Sequence, residues 1–126
     1  MAAGTIIMSL RVQSYLRTER RKWALTQKEL TFLLGRKSPT HTSRLEQGKR
    51  IPSADALLAC EILFGIHPRI LFPKLYADVE EQVLARASTL YEQLEQEGSL
   101  PAQRKKEFLS AALKRAITRL NQPEEL

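Results

Sequence analysis

Three times between residues 26 and 65 the chain sets a helix-starting residue and then a glycine, and this punctuation restricts it to short helices joined by tight turns. Thr26 with Glu29 three residues later has the form of a capping box, and Gly35 closes the segment that they open. Ser38 before Pro39 is an N-cap with proline at the first helical position, and Gly48 ends that helix about two turns later. Ser53 opens a third segment, carrying Leu57, Leu58, Ile62 and Leu63, that Gly65 stops. Helices this short do not persist alone in water, so each has to bury an apolar face, such as Leu30, Leu33 and Leu34, against its neighbours.

The flanks extend the pattern. Upstream, Ser9 is placed to cap a helix carrying Leu10, Val12, Tyr15 and Leu16 that ends in the cationic run Arg17, Arg20, Arg21 and Lys22 and is closed by Trp23 and Leu25. Downstream, His67 before Pro68 reads as a local cap or a surface residue, and a last turn holds Ile70, Leu71 and Phe72. Past Pro73 the helices lengthen. Tyr76, Val79, Val83, Leu90 and Leu94 make an apolar stripe over residues 75–96. Gly98 breaks it, and Leu109, Ala112, Leu113, Ala116, Ile117 and Leu120 make another over residues 100–120. No alternation long enough for a strand occurs. The expected fold is all-α: a flexible N-terminus at residues 1–8, a five-helix bundle over 9–73, and a C-terminal helical hairpin over 74–126.

Charge separates the two parts. Residues 1–73 hold twelve Lys and Arg against five Asp and Glu, and residues 74–126 hold eight against nine. A net +7 confined to one part suits a polyanionic partner, although charge alone does not separate that from a solubilising surface. Cys60 is the lone cysteine, so no intrachain disulfide or Cys-rich metal site is available. With only His41 and His67 beside it, no metal, cofactor or catalytic set assembles, and an enzyme is not expected. No apolar run reaches membrane-spanning length and Met1 to Met8 lacks the form of a signal peptide, so a soluble, cytoplasmic protein is expected, with no membrane partner.

Leu25, Thr26, Gln27, Glu29, Leu30, Leu34 and Gly35, followed by Ser43, Arg44, Leu45, Glu46, Gly48, Lys49, Pro52 and Ser53, resemble the Cro/C1-type helix-turn-helix family, also called Xre. Tyr15 to Lys22 and Phe64 to Pro73 resemble a branch of short bacterial members. Gly35 to Glu46 spans eleven steps, one more than is usual in the family, so the turn is lengthened. The resemblance implies double-stranded DNA binding, with the helix from Pro39 in the major groove and the helix from Gln27 crossing the backbone. It also implies a structural ion pair between Arg20 and Glu46.

On that helix Thr40, His41 and Arg44 share the outward side, and Arg44 has the fork that pairs with guanine O6 and N7. These are the expected base contacts. Gln27, Arg36, Lys37, Ser38, Ser43, Lys49 and Arg50 are the expected phosphate contacts. Thr42 takes a slot facing the preceding helix and is expected in the core or at its edge. The hairpin's two stripes need a surface to cover them. Either it braces the bundle or, the favoured reading, it makes a homodimer through residues 74–126 that sets two recognition helices on an inverted repeat. The expected function is a sequence-specific transcriptional repressor. An antitoxin that regulates its own operon, or a protein-interaction adaptor without DNA binding, are the alternatives. No small-molecule effector is evident.

Overall fold

The computed structural model describes residues 13–122. Among them the chain is all-helical: α1 (Leu16–Lys22), α2 (Gln27–Leu33), α3 (Pro39–Glu46), α4 (Ala54–Phe64), α5 (Pro68–Leu71), α6 (Pro73–Leu94) and α7 (Leu100–Leu120). Two compact units divide it, Met1–Ala77 and Asp78–Leu126, and the division falls inside α6. No described helix is long and apolar enough to cross a membrane.

Side-chain caps fix where the helices of the first unit begin. The Glu29 N–H donates to Thr26 Oγ1 at 3.0 Å while the Thr26 N–H donates to Glu29 Oε1 at 2.9 Å, a reciprocal box at the start of α2. Ser38 Oγ accepts from the Thr40 N–H at 3.3 Å to open α3, and His67 Nδ1 accepts from the Arg69 N–H at 3.0 Å to open α5. Glycines fix three of the ends, Gly65 closing α4 with its N–H on the Glu61 carbonyl. After α2 the N–H groups of Gly35 and Arg36 reach back to Phe32 and Thr31, and after α3 those of Gly48 and Lys49 reach back to Leu45 and Arg44. Both are Schellman closures, with Gly35 at φ 71° and Gly48 at φ 72°. At Gly48 a Cβ would also stand 2.6 Å from the Gln13 side chain. The same closure ends α1 with Ala24 at φ 58°, a strained position for a residue with a Cβ.

The helices close around Leu16, Leu30, Leu34, Leu45, Cys60, Leu71 and Phe72, all buried. Desolvation pushes the Cys60 thiol up to about 11, so it is packed as a neutral group.

Several expectations are corrected here. A helix running on from Ser9 does not reach Leu16: Tyr15 donates its N–H to the Leu71 carbonyl at 2.7 Å, and Ser14 Oγ accepts from Leu16 at 3.1 Å. Those bonds use the entry to α1, so it starts there. Ser9, Leu10, Val12 and the 1–8 segment lie outside the described residues. Leu33 is 44% exposed rather than inward, because α2 buries Leu30, Thr31 and Leu34. On α4 Ala56 and Cys60 are the buried positions, and Leu58, Ile62 and Leu63 are exposed.

The second unit is a narrow seam. Ala87 and Leu94 of α6 meet Ala102 and Leu109 of α7, with Tyr91 packed against them. Ser99 Oγ accepts from the Ala102 N–H at 3.3 Å to open α7, and Arg119 pairs with Glu80. The stripes read from sequence are therefore only partly buried: Val79, Val83, Leu90, Ile117 and Leu120 are exposed. Two helices can cover only the strip where they touch. Alanine on that strip allows close approach but leaves the larger side chains flanking it outside.

Candidate nucleic-acid interface

The eight residues of α3 are divided sharply by burial. Thr42, Leu45 and Glu46 point inward, Thr40 and Arg44 are exposed, and His41 and Ser43 are half-buried. Thr40 and Arg44 stand one turn apart on the same side, and His41 precedes Arg44 by three residues, so the three form one outward strip.

The inward side is held by polar contacts as well as apolar ones. Arg20 Nε donates to Glu46 Oε2 at 2.5 Å and Nη2 to Glu46 Oε1 at 3.2 Å, a bidentate pair whose side chains are 9% and 2% exposed. Arg20 Nη1 also donates to the Leu25 carbonyl at 2.8 Å, which ties the turn after α1 to the end of α3. Thr42 is fully buried, and its hydroxyl lies 2.5 Å from that of Thr31, which also donates to the Gln27 carbonyl at 2.6 Å. Thr31 and Thr42 together fix the spacing of α2 and α3. Thr31 was not legible as such in sequence, because a lone threonine inside a helix ordinarily faces solvent.

The residues expected at phosphates fall into two groups. Lys37, Lys49 and Arg50 are exposed at the two ends of α3. The others already serve internal contacts. Gln27 Nε2 donates to Glu46 Oε1 at 3.1 Å, Ser38 caps α3, and Ser43 Oγ accepts from Gln47 at 3.2 Å. Arg36 reaches across to the start of α4, where Nη2 donates to Ser53 Oγ at 2.8 Å and to the Asp55 carboxylate at 3.1 and 3.2 Å. Ser53 in turn donates to Asp55, so this hydroxyl links the two rather than capping the helix that it precedes. The side chains of Arg36 and Asp55 are 33% and 69% exposed, and a pair so open to water is weak and yields readily to another anion.

His41 carries an electrostatic signature. Its Nδ1 is buried with no hydrogen-bond partner among the described residues. Desolvation, then the charges of Arg50 and Arg36, hold its pKa below the ordinary 6.5. The native state therefore resists the proton that the unfolded chain accepts. The contribution is present above pH 6.5 and is lost as pH falls through the lower, native value. The carboxylates with lowered pKa, Glu29 and Asp55, titrate from ordinary values of 4.5 and 3.8, outside that window. Urea melts between pH 7.5 and 5.5 are thus expected to show stability declining with acidification. His41→Gln is expected to flatten the slope, and an unchanged slope refutes the assignment to this histidine.

No group of three or more His, Cys, Asp or Glu side chains is placed to hold a metal ion among the described residues. What the first unit offers is a braced two-turn helix with a polar and cationic outer strip and further cations at both ends. The family comparison concerns the same stretch: residues 16–71 match a family model described as Helix-turn-helix. No curated protein and no solved structure gives a significant match.

Proposed function

We propose, from the match of residues 16–71 to a helix-turn-helix family model, that this chain is a DNA-binding regulator of the Cro/C1 type that reads a specific duplex sequence and represses transcription from it. The observation that carries the reading is the two-sided character of α3, rigidly anchored on one side and presenting Thr40, His41 and Arg44 on the other. A helix so presented fits the major groove, where an arginine fork pairs with guanine N7 and O6. Arg44 is exposed and makes no ion pair among the described residues, so its guanidinium needs no release before it meets a base. Lys37, Lys49 and Arg50 hold the backbone on either side, and Arg36 joins them by exchanging Asp55 for a phosphate. Gln27, Ser38 and Ser43 contribute mainly by keeping the helix in place.

The regulator acts as a homodimer through residues 74–126 on an inverted repeat. In support, the hairpin's own seam leaves Ile117 and Leu120, near the end of α7, uncovered. Two recognition helices about 34 Å apart would then enter successive major grooves on one side of the duplex.

Selection of oligonucleotides from a random duplex pool tests both parts. The parent is expected to enrich an inverted repeat. Arg44→Ala is expected to lose about 1–3 kcal/mol at one base pair of each half-site, roughly a 5–150-fold loss of discrimination, with folding unchanged. Equal selectivity from a folded Arg44→Ala protein overturns the base-reading role. Enrichment of single half-sites overturns the dimer.

A further inference from the structure

We infer that one face of the C-terminal hairpin is a docking groove for an acidic amphipathic helix of another protein. The inference stands on the second unit alone and does not depend on how the first unit meets DNA.

The face is defined by rotation about the seam. At about 100° per residue, Val79, Val83 and Leu90 lie within a quarter-turn of the buried Ala87 and Leu94, all to one side, whereas Tyr91 lies to the other. Tyr91 shares a cleft of about 470 Å³ with Gln103, Lys106, Ser110 and Lys114, which marks which flank of α7 faces the same way as Tyr91. Phe108 and Ala112 are on the opposite flank of α7, and therefore on the face of Val79, Val83 and Leu90. The four large side chains there are 50%, 52%, 43% and 70% exposed for Val79, Val83, Leu90 and Phe108. Beside Leu90 a shallow hollow of about 320 Å³ is lined by Ala85, Arg86, Thr89 and Gln93.

Charge chooses the occupant. The rim of this face is cationic, with exposed Arg86 on α6 and exposed Arg104, Lys105 and Arg115 on α7. The exposed acids Glu81 and Glu92 of α6, with Glu95 just past its end, fall on its other flank. A second copy stacked face to face would set these cations against their own counterparts, a juxtaposition that disfavours association. An anionic bilayer would take the cations but finds only Phe108 among the bulky anchors on which interfacial insertion relies. A helix with leucine-type residues at three- and four-residue spacing and acidic flanks satisfies both parts: it completes a three-helix arrangement over the valines and neutralises the rim.

Fluorescence anisotropy with the full chain tests this against two labelled helical peptides about twenty residues long. They carry identical leucines, one with glutamate flanks and the other with lysine. The glutamate peptide is expected to bind at least about tenfold more tightly, with an affinity that falls as salt rises. Val83→Glu is expected to abolish binding, and the double change Arg86→Glu with Arg115→Glu is expected to shift preference to the lysine peptide, with helicity unchanged by circular dichroism. Absence of binding by both peptides, or a preference that the charge reversal leaves intact, overturns the proposal. So does a homodimer that Val83→Glu dissociates, or binding to phosphatidylserine vesicles that Val83→Glu removes while neither peptide binds.

Discussion

Replacing Glu46 with alanine is expected to cost about 3–5 kcal/mol and to leave much of the first unit unfolded at physiological temperature. The carboxylate is 2% exposed and accepts from both Arg20 and Gln27. Its removal strands a guanidinium that is 9% exposed, with only the Leu25 carbonyl remaining to it. The loss is therefore dominated by an uncompensated buried charge, whose desolvation cost is already incurred. Exchanging both partners, Arg20→Met with Glu46→Leu, removes that charge and is expected to recover most of the stability. Urea denaturation of the two single variants and the double variant gives the coupling energy directly. A single-variant loss below about 1 kcal/mol, the range of surface pairs, would show that the pair is open to water and braces nothing. Because the pair joins α1 to the last turn of α3, its loss should also release the outer strip from its orientation.

The second large effect lies one residue away from the proposed base reader and should have the opposite signature. Leu45 is fully buried among Leu16, Leu30, Leu34, Cys60, Leu71 and Phe72. Truncation to alanine there is expected to cost about 2–5 kcal/mol, the transfer of the lost carbons plus the cavity that they leave. Below its lowered melting temperature the Leu45→Ala protein should still select the parental DNA sequence. Arg44→Ala should melt like the parent and select poorly. Adjacent residues on a helix point about 100° apart, and here that rotation separates the interior from the outer strip. If Leu45→Ala lost selectivity while fully folded, or Arg44→Ala lost stability, the division of α3 into an anchoring and a reading side would fail.

How far the sequence carried can be judged from particular residues. Thr26, Ser38 and His67 are caps on local bonds, made within three residues of the chain, and glycine at positions 35 and 48 is demanded by positive φ. Thr42 entered the core as its slot implied. Local chemistry of that kind is written into consecutive residues, so reading it needs no knowledge of the fold. Long-range partners are different. Gln27 and Arg36 looked equally available to phosphate, yet Gln27 donates to Glu46 and Arg36 to Ser53 and Asp55, nineteen residues away in two of those three contacts. Nothing in the local sequence distinguishes a cation that meets an acid across a turn from one that meets water.

Apolar periodicity marks which side of a helix could be covered, but the number of neighbours decides how wide a strip is covered. Among the described residues of the first unit that distinction cost Leu33, Leu58, Ile62 and Leu63, whereas in the two-helix hairpin it left most of a stripe outside. The order and helical character of the elements, most of their ends, and the segregation of positive charge to the first 73 residues, were determined by the sequence alone. They follow from hydrogen bonds and backbone preferences within a few residues, and from counting. Tertiary structure decided which polar groups are already engaged and which apolar groups remain for others. Those outcomes depend on distances between residues far apart in the chain, which only packing sets.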